Sequence, residues 1–315
     1  MHAIGIEIGG TKLQSALVAA GGAVAAIRRA AVDPAAGAAG ILATLAGQLA
    51  DLLAAAGATE IGGVGVGFGG PVDRGRGTVA TSHHVAGWDG FPLAEWVAAR
   101  CGGPPVWLEN DTNAAALAEA VVGAGRGLRT VVYSNVGSGI GAGLVISGEI
   151  YHGRVPGEME IGHLRIAAGG PTLEDVASGW ALDRQVAGQV AADPHGPLAR
   201  EAAAGRSGAR GLAAALAAGD AAAAAILDAA ARQYGLALSH VVHLLNPDVI
   251  VVGGGVARIG EPWRAAVARH LDASLMAALQ PAPPVRLAAL GDAVVPVGAA
   301  LVAGRGRLGG AAGVC

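Results

Sequence analysis

The chain has 315 residues and a net charge of −3, with 53% hydrophobic and only 14% charged residues. This length suits two domains, the low charge argues against a disordered chain, and the balance of charge gives no reason to expect nucleic-acid binding. Two cysteines, Cys101 and Cys315, exclude a disulfide framework and a cysteine zinc cluster. We find no strongly apolar run of about 18 residues and no secretion signal, and therefore expect a cytoplasmic protein without a membrane partner.

The first half begins with a strand, a glycine turn and a second strand. The predicted elements there are strands at 3–8 and 13–18, a helix at 35–57, a strand at 61–68, a helix at 92–101, a strand at 106–108 and a helix at 114–122. These predictions rest on the spacing of apolar residues and on the glycine and proline residues that interrupt it.

The second half repeats the opening hairpin. Its predicted elements are strands at 130–135 and 144–146 around a glycine-rich turn, helices at 172–190 and 211–245, a strand at 249–252 and a helix at 297–302, followed by a loose tail from Gly304. Alternating strands and helices predict an α/β fold. The repeated hairpin predicts two related domains that face each other across a cleft, with a boundary near residues 110–125.

Three glycine turns each follow an apolar strand directly. Turns of this kind can gather backbone N–H groups around a phosphate, which a Cβ would keep away. In a chain with 53 glycines, one such turn alone is more often a plain turn. None matches a Walker loop or the dinucleotide fingerprint. Lys12, the only lysine, lies in the first turn, where it is either a leftover of coding bias or a required ammonium group.

Six segments, in this order from about residue 4 to 303, resemble the ROK family of sugar kinases and sugar-responsive repressors, which belongs to the actin-like ATPase superfamily. They are Ile6–Lys12, Asn110–Ala115, Val136–Gly143, Glu160–His163, Leu173–Glu174 with Ala177–Gly179, and Asn246–Pro247 with Gly253–Gly255.

The resemblance implies a fold of two actin-like (ribonuclease H-like) domains with a cleft between them. We predict a small N-terminal domain at 1–115, onto which a C-terminal helix at about 296–303 packs back, and a larger domain at 116–295. The implied enzyme is an ATP- and Mg²⁺-dependent sugar kinase of the hexokinase or glucokinase type, forming a homodimer or homotetramer. Glucose is the first choice of substrate, with fructose, mannose or an N-acetylhexosamine as alternatives, and polyphosphate stays open as a donor.

The resemblance also implies roles for individual residues. Asp111 is predicted to be the general base. The residues predicted to bind the sugar are Gly70, His84, Asn110, Asp111, Glu160, His163 and Glu174. Those predicted to bind the nucleotide are Gly9, Gly10, Thr11, Lys12, Gly137, Ser138, Gly139, Gly254 and Gly255.

The residues themselves leave simpler interpretations open. Asn110 and Asp111 could do no more than cap the helix that follows them. The spacing of Glu160 and His163 also suits a metal site or a surface pair on one helical turn. Lys12 could be a solvated lysine at a hairpin tip, and His84 could be a plain loop residue.

Three departures from the family pattern bear on the site. Glu7 stands where Asp is usual, and we expect it to act near Mg²⁺ without direct coordination. The stretch 164–172 lacks the cysteines with which many members bind zinc, so we expect no structural zinc. His84 stands where Asn is usual, which leaves the identity of the sugar open.

Two functions from other classes compete with a kinase. A sugar-sensing repressor would carry a winged helix-turn-helix ahead of the first glycine turn, and only two residues precede the first predicted strand in this sequence. A catalytically dead actin-like binding protein would not need Asp111 together with the phosphate turns. We therefore expect an enzyme.

Overall fold

The computed structural model describes residues 1–82, 85–154 and 157–308. The strands in this part of the chain are β1 (His2–Ile8), β2 (Lys12–Ala19), β3 (Val24–Ala31), β4 (Ile61–Phe68), β5 (Val72–Asp73), β6 (Thr78–Val79), β7 (Val106–Asn110), β8 (Thr130–Val136), β9 (Ile140–Ile146), β10 (Glu149–Ile150), β11 (Val249–Gly253) and β12 (Val285–Leu287). The α-helices are α1 (Gly37–Ala56), α2 (Leu93–Arg100), α3 (Asp111–Val121), α4 (Leu173–Ala177), α5 (Gly179–Ala192), α6 (Pro197–Ala203), α7 (Ala209–Ala217), α8 (Ala221–Leu245), α9 (Glu261–Ala273) and α10 (Val294–Leu308).

The chain divides into two compact units. Unit 1 contains Met1–Gly127, Gly143–Glu158 and the described residues from Leu290 onward, and unit 2 contains Leu128–Ala142 and Met159–Ala289. The domains predicted from the sequence, 1–115 and 116–295, group the chain differently and stay a prediction. Within unit 1, α10 packs on β1, β4 and α3.

The sheet of unit 1 has five strands in the order β3-β2-β1-β4-β7. The first three form antiparallel pairs, and β1, β4 and β7 run parallel, with Glu7 aligned to Gly67 and Gly67 to Glu109. The parallel part therefore places the carboxyl ends of three neighbouring strands at one edge of the sheet.

The packing on the two faces of β4 explains why its sequence alternates glycine with large apolar residues. Val64 and Val66 point into a core cluster with Leu45 and Leu49 of α1. The opposite face of the strand presents glycines, and a Cβ on Gly65 would overlap the carbonyl oxygen of Ala299 in α10. Since successive residues of a strand face opposite sides, the glycines allow α10 to lie directly on the backbone of the sheet.

Helix α1 corrects the expectation that the chain contains no strongly apolar run of about 18 residues. Together with the turn before it, residues Pro34–Ala56 are long and apolar enough to cross a membrane, with a mean hydropathy of 1.5. The side chains of Ile41, Leu45 and Leu52 are nevertheless buried in the core cluster of unit 1. A buried stripe at this spacing is typical of a helix that covers a sheet.

The second sheet repeats the strand order of the first, as β10-β9-β8-β11-β12. Strands β8, β11 and β12 run parallel, while β9 and β10 form an antiparallel pair. Two sheets with the same order of strands confirm the predicted repetition and the α/β class.

The sequence missed or misjudged several elements. It overlooked β3, α6, α9 and β12, and it predicted single helices where the chain breaks into α4 and α5 at Ser178 and into α7 and α8 near Asp220. Ser178 and Asp220 accept hydrogen bonds from the first turns of the helices that follow, so each begins a new helix. Helix α10 also continues to Leu308, which makes the expected loose tail from Gly304 wrong for residues 304–308.

Candidate active site

The carboxyl ends of three parallel strands meet at one edge of the sheet in unit 1. Strands β1, β4 and β7 end in register, because Ile8 pairs with Phe68 and Phe68 with Asn110. The chain then continues into the first glycine turn after β1, into Gly69–Gly70 after β4, and into Asp111 after β7. Ligands of open α/β sheets bind at this edge.

Glycine provides the room for the carboxylate of Asp111. A Cβ on Gly69 would lie 3.3 Å from Oδ2 of Asp111 and 3.4 Å from Cα of Gly9. Gly70, a predicted sugar-binding residue, follows in the same turn and donates its N–H to the carbonyl of Phe68 at 2.9 Å. The structure therefore brings together three of the predicted site residues, Gly9, Gly70 and Asp111.

The carboxylate of Asp111 is held by hydrogen bonds to its neighbour Thr112. Its Oδ1 accepts hydrogen bonds from the backbone N–H of Thr112 at 2.7 Å and from the hydroxyl of Thr112 at 3.2 Å. The pKa of Asp111 is raised to about 7, mainly by loss of solvation and also by the charge of Glu7, while Thr112 and Lys12 oppose the shift. A carboxyl group with a pKa near neutrality suits a general base.

Asn110 caps helix α3, as the simpler interpretation of the sequence predicted. Its Oδ1 accepts hydrogen bonds from the N–H groups of Thr112 at 2.9 Å and Asn113 at 3.1 Å. Both caps use the oxygen of the amide, which leaves the NH₂ group to donate to a substrate hydroxyl. Capping and sugar binding can therefore coexist in this residue.

The first glycine turn carries an ion pair at its base. The ammonium of Lys12 lies 2.9 Å from Oε1 of the buried Glu7, and Gln14 donates to Oε2 of Glu7 at 2.6 Å. Burial raises the pKa of Glu7, while Lys12 and Gln14 oppose that shift. Lys12 is thus not a solvated hairpin lysine, although its side chain keeps 39% exposure.

The tip of the same turn is open. Thr11 is exposed, and Gly9 and Gly10 are half-buried. The N–H of Gly9 donates to the carbonyl of Lys12 at 2.9 Å, which closes the turn. The predicted phosphate-binding residues of unit 1 therefore form one continuous loop beside Asp111.

The carboxylates of this unit fit Mg²⁺ in an indirect role. Both oxygens of Glu7 already have donors, Lys12 and Gln14, so Glu7 would contact the ion through water. Mg²⁺ in proteins keeps several waters and is bound through one or two carboxylates together with substrate phosphates. Glu7 and Asp111 are close enough for their charges to interact, which is consistent with a cation near both.

The second glycine turn, in unit 2, is closed around Glu174. The carboxylate of Glu174 accepts a hydrogen bond from the N–H of Ile140 at 2.8 Å, and a Cβ on Gly139 would overlap it. The N–H of Gly179 donates to the carbonyl of Gly137 at 2.7 Å. The structure thus places Glu174, a predicted sugar-binding residue, directly against the predicted phosphate turn.

Three further predicted residues of unit 2 are exposed. Glu160 and His163 flank Gly162 on a short 3₁₀ turn, and Ser138 stands at the tip of the glycine turn. A Cβ on Gly162 would lie 3.4 Å from Oε2 of Glu174. The residues predicted to bind sugar in this unit are therefore grouped around one glycine, with polar atoms available to a ligand.

A cavity of about 500 Å³ joins the second and third glycine turns within unit 2. Gly137, Gly255 and Trp180 are among the residues that line it. Gly254 has a φ of +88°, and a Cβ there would lie 2.5 Å from the carbonyl oxygen of Val136 at the end of β8. A recess with glycine turns and an aromatic ring is suited to a nucleotide.

His84 lies outside the described residues. The sequence missed a polar cluster in unit 1, formed by Arg74, Glu109, His152 and Glu158. The signal that could have found it is the position of Glu109 directly before the Asn110–Asp111 pair.

The sequence profile of the ROK family matches residues 3–305. The chain belongs to the ROK family. A glucokinase of Halalkalibacterium halodurans is 30% identical over 310 residues, which cover 92% of this chain and 91% of that protein. A glucokinase of Thermotoga maritima is 35% identical over 208 residues, 63% of this chain and 65% of that protein, so that match spans less than two thirds of its length.

Solved structures of the family are similar over nearly the whole chain. A ROK glucokinase of Streptomyces griseus in complex with glucose and AMPPNP is 30% identical, covers 97% of this chain and 100% of that chain, and has a TM-score of 0.86. An inorganic polyphosphate/ATP-glucomannokinase of Arthrobacter is 26% identical, covers 96% and 98%, and has a TM-score of 0.63. These matches confirm the predicted family, the actin-like two-domain fold and the activity of a sugar kinase.

Proposed function

We propose that this sugar kinase transfers the γ-phosphoryl group of ATP to a hydroxyl of a hexose, with Asp111 as the general base. The observation that carries the proposal is the carboxylate of Asp111, which lies beside two glycine turns with its pKa raised to about 7. Glucose is the first choice, because glucokinases are among the relatives that align over most of the chain.

The γ-phosphoryl group passes from ATP to the sugar in one displacement assisted by Asp111. Asp111 accepts the proton of the sugar hydroxyl, while the oxygen of that hydroxyl forms a bond to the γ-phosphorus of ATP. The bond from that phosphorus to the oxygen that bridges the β- and γ-phosphates breaks, and ADP leaves. A bound Mg²⁺ would neutralise part of the phosphate charge. Positioning and charge neutralisation supply most of the catalysis in reactions of this kind.

The donor is proposed to bind at the glycine turns. Those near Gly9 in unit 1 and Gly137 in unit 2 present N–H groups and the hydroxyls of Thr11 and Ser138 to phosphate. The cavity beside Trp180 suits a nucleoside rather than a bare phosphate chain. Polyphosphate is the second candidate donor, since the structurally similar Arthrobacter enzyme is a polyphosphate/ATP-glucomannokinase.

The acceptor is proposed to bind Asn110, Glu160, His163 and Glu174. Amide, carboxylate and imidazole groups can pair with the fixed hydroxyls of a sugar. Mannose is favoured as the second acceptor by the same Arthrobacter enzyme. Fructose and N-acetylhexosamines complete the candidates. We propose that the enzyme works in the cytoplasm, where ATP is supplied, as a homodimer or homotetramer.

A coupled assay of ADP release across glucose, mannose, fructose and N-acetylhexosamines tests the proposal. We expect the largest kcat/KM with glucose and ATP. Asp111→Asn keeps the size and the oxygen acceptor of the side chain but removes the base, so kcat should fall by about 10²- to 10⁴-fold. The matched control is Asp51→Asn, which replaces an exposed aspartate of α1.

The pH dependence gives a second measurement. Only ionised Asp111 can accept a proton, so kcat/KM should fall about tenfold for each pH unit below about 7. Near-native turnover of Asp111→Asn would exclude this mechanism. A wild-type enzyme that bound nucleotide but phosphorylated no sugar would favour the binding protein over the kinase.

A further inference from the structure

The buried carboxylate of Glu109 holds the corner at which β7 becomes α3. Its Oε1 accepts the backbone N–H of Asn110 at 2.9 Å and the side-chain amide of Asn113 at 3.1 Å. Its Oε2 lies 2.8 Å from Nε2 of His152 and 3.7 Å from the guanidinium of Arg74. Both oxygens are therefore engaged, one with the corner and the other with groups outside it.

A second carboxylate fastens the same helix turn. Glu158 accepts the amide of Asn113 at 2.6 Å through Oε1 and the N–H of Gly153 at 3.2 Å through Oε2. Asn113, in the first turn of α3, thus donates to Glu109 and Glu158 at once. The network ties the helix that begins at Asp111 to His152, Gly153 and Glu158, all within unit 1.

The geometry allows two interpretations of this cluster. Glu109, His152 and Glu158 offer ligand atoms that lie within 4.8 Å of one another, a spacing that a metal ion could bridge. The four carboxylate oxygens, however, each have an N–H or cationic partner, and Arg74 already supplies positive charge beside Glu109. A network in which every oxygen is paired needs no metal to be stable, and we therefore favour a structural pairing of side chains.

We infer that Glu109 is a positioning residue for Asp111 and that His152 holds Glu109 in place by donating a hydrogen bond to it. The inference rests on the proposed function, because it assigns Glu109 to the reaction through Asp111. Neither residue has to touch the substrate. Glu109 acts by fixing Asn110, which is one residue before the base.

Weakening this network would give the corner between β7 and α3 more freedom to move. Asn110 is the N-cap of α3, and Asp111 is its first residue. Without the acceptor Glu109, the N–H of Asn110 would lose its partner and the corner could rotate. Small misplacements of a catalytic group lower the rate strongly while they leave the binding of remote parts of the substrates intact.

His152 offers the sharper test, since its side chain is one-third exposed and the protein should fold when it is replaced. Gln keeps an N–H donor at nearly the reach of Nε2, whereas Leu removes it. We expect His152→Leu to lower kcat about tenfold with both KM values within about twofold, and His152→Gln to restore most of the rate. Glu109→Leu, which removes the acceptor for the N–H of Asn110, should lower kcat at least as far. His195→Leu and Glu95→Gln, which replace exposed residues, are the controls.

Hydrogen exchange of a peptide that spans residues 108–113 gives a readout independent of turnover. Exchange should be faster in His152→Leu than in the wild type and in His152→Gln. Equal kcat for His152→Leu and wild type would overturn the inference, as would a raised KM at unchanged kcat, which would indicate substrate contact. Stabilisation of the wild type by Zn²⁺ or Mn²⁺ alone, lost in His152→Gln, would overturn it in favour of a metal site. A wild type without activity on any sugar would refute the proposed function instead, while the exchange experiment would still test the network.

Discussion

The raised pKa of Asp111, which suits the proposed general base, lowers the stability of the folded state. Desolvation, together with the charge of Glu7, raises its pKa from the ordinary 3.8 to about 7, which means that its ionised form is less favourable in the folded protein than in the unfolded chain. Below pH 3.8 both states bind the proton and the difference disappears. As the pH rises to 7 the folded state holds the proton that the unfolded chain has lost, and stability falls over this window.

We therefore predict that Asp111→Asn is more stable than the wild type at pH 8 and equally stable near pH 4. The ceiling of the gain is about 4 kcal/mol, from about three pKa units at 1.36 kcal/mol each. Asn keeps Oδ1 as an acceptor for Thr112, so the cap should survive. Urea unfolding at a series of pH values measures the difference.

Asp175 provides a control, because its pKa is shifted in the opposite direction from that of Asp111. Hydrogen bonds from Thr172 lower the pKa of this exposed carboxylate in the capping box of α4. Its contribution is present above the unfolded pKa and is lost as the pH falls, so Asp175→Asn should destabilise the protein near neutral pH. If Asp111→Asn were less stable than the wild type at pH 8, this would contradict the raised pKa of Asp111.

At the scale of single residues, the sequence offered candidates for the site but not their hydrogen-bond partners. The order of motifs selected Asn110, Asp111 and Glu174, whose binding roles stay predictions. It could not identify the pairing of Glu109 with His152, because 43 residues separate them and only the fold brings them together. It could not identify Glu158 either, since local spacing says nothing about a contact with Asn113, 45 residues away.

At the scale of elements, glycine determines how closely α10 approaches its neighbours. Gly5 of β1, Gly65 of β4 and Gly298 of α10 each face a backbone carbonyl group so closely that a Cβ would overlap it. The sequence showed that β4 alternates glycine with valine, and its limits at 61–68 were predicted correctly. The reason for the alternation was not predictable, because the covering helix lies more than 200 residues further along the chain.

We predict that Gly298→Ala destabilises the protein by about 2–4 kcal/mol. The new Cβ would overlap the carbonyl oxygen of Ala114 in α3, which is backbone and cannot rotate away. Since α3 begins at Asp111, kcat should fall as well. Thermal unfolding and steady-state kinetics measure the two effects.

Gly304→Ala in the same helix is the matched control. No atom lies within 4 Å of the position of its Cβ, and alanine favours helix over glycine by up to about 1 kcal/mol. This variant should be as stable as the wild type or slightly more so, with unchanged kcat. Equal stability of the two variants would show that α10 does not pack closely on α3.

At the scale of the whole molecule, the two sheets share one strand order and each begins with a hairpin around a glycine turn. The sequence predicted this repetition from the hairpins alone. The composition of the units was harder to predict, because unit 1 takes residues from three separate parts of the chain. Helix propensity and turn signals are local, whereas membership of a unit is decided by packing between distant segments.

The distribution of the glycine turns over both units leads to a prediction about ligand binding. A ligand that binds only the folded state stabilises it by RT ln(1 + [L]/Kd), about 2.7 kcal/mol at a hundred times Kd. Mg²⁺ with AMPPNP should therefore raise the melting temperature by several degrees and slow hydrogen exchange at 9–12 in unit 1 and at 137–140 and 253–256 in unit 2. Glucose should instead slow exchange at 109–113 and 160–163.

Asp111→Asn should retain the stabilisation by AMPPNP, because it leaves the phosphate turns intact. Protection confined to residues outside these turns would contradict their assignment to the donor, and stabilisation by polyphosphate but not by AMPPNP would identify the other donor.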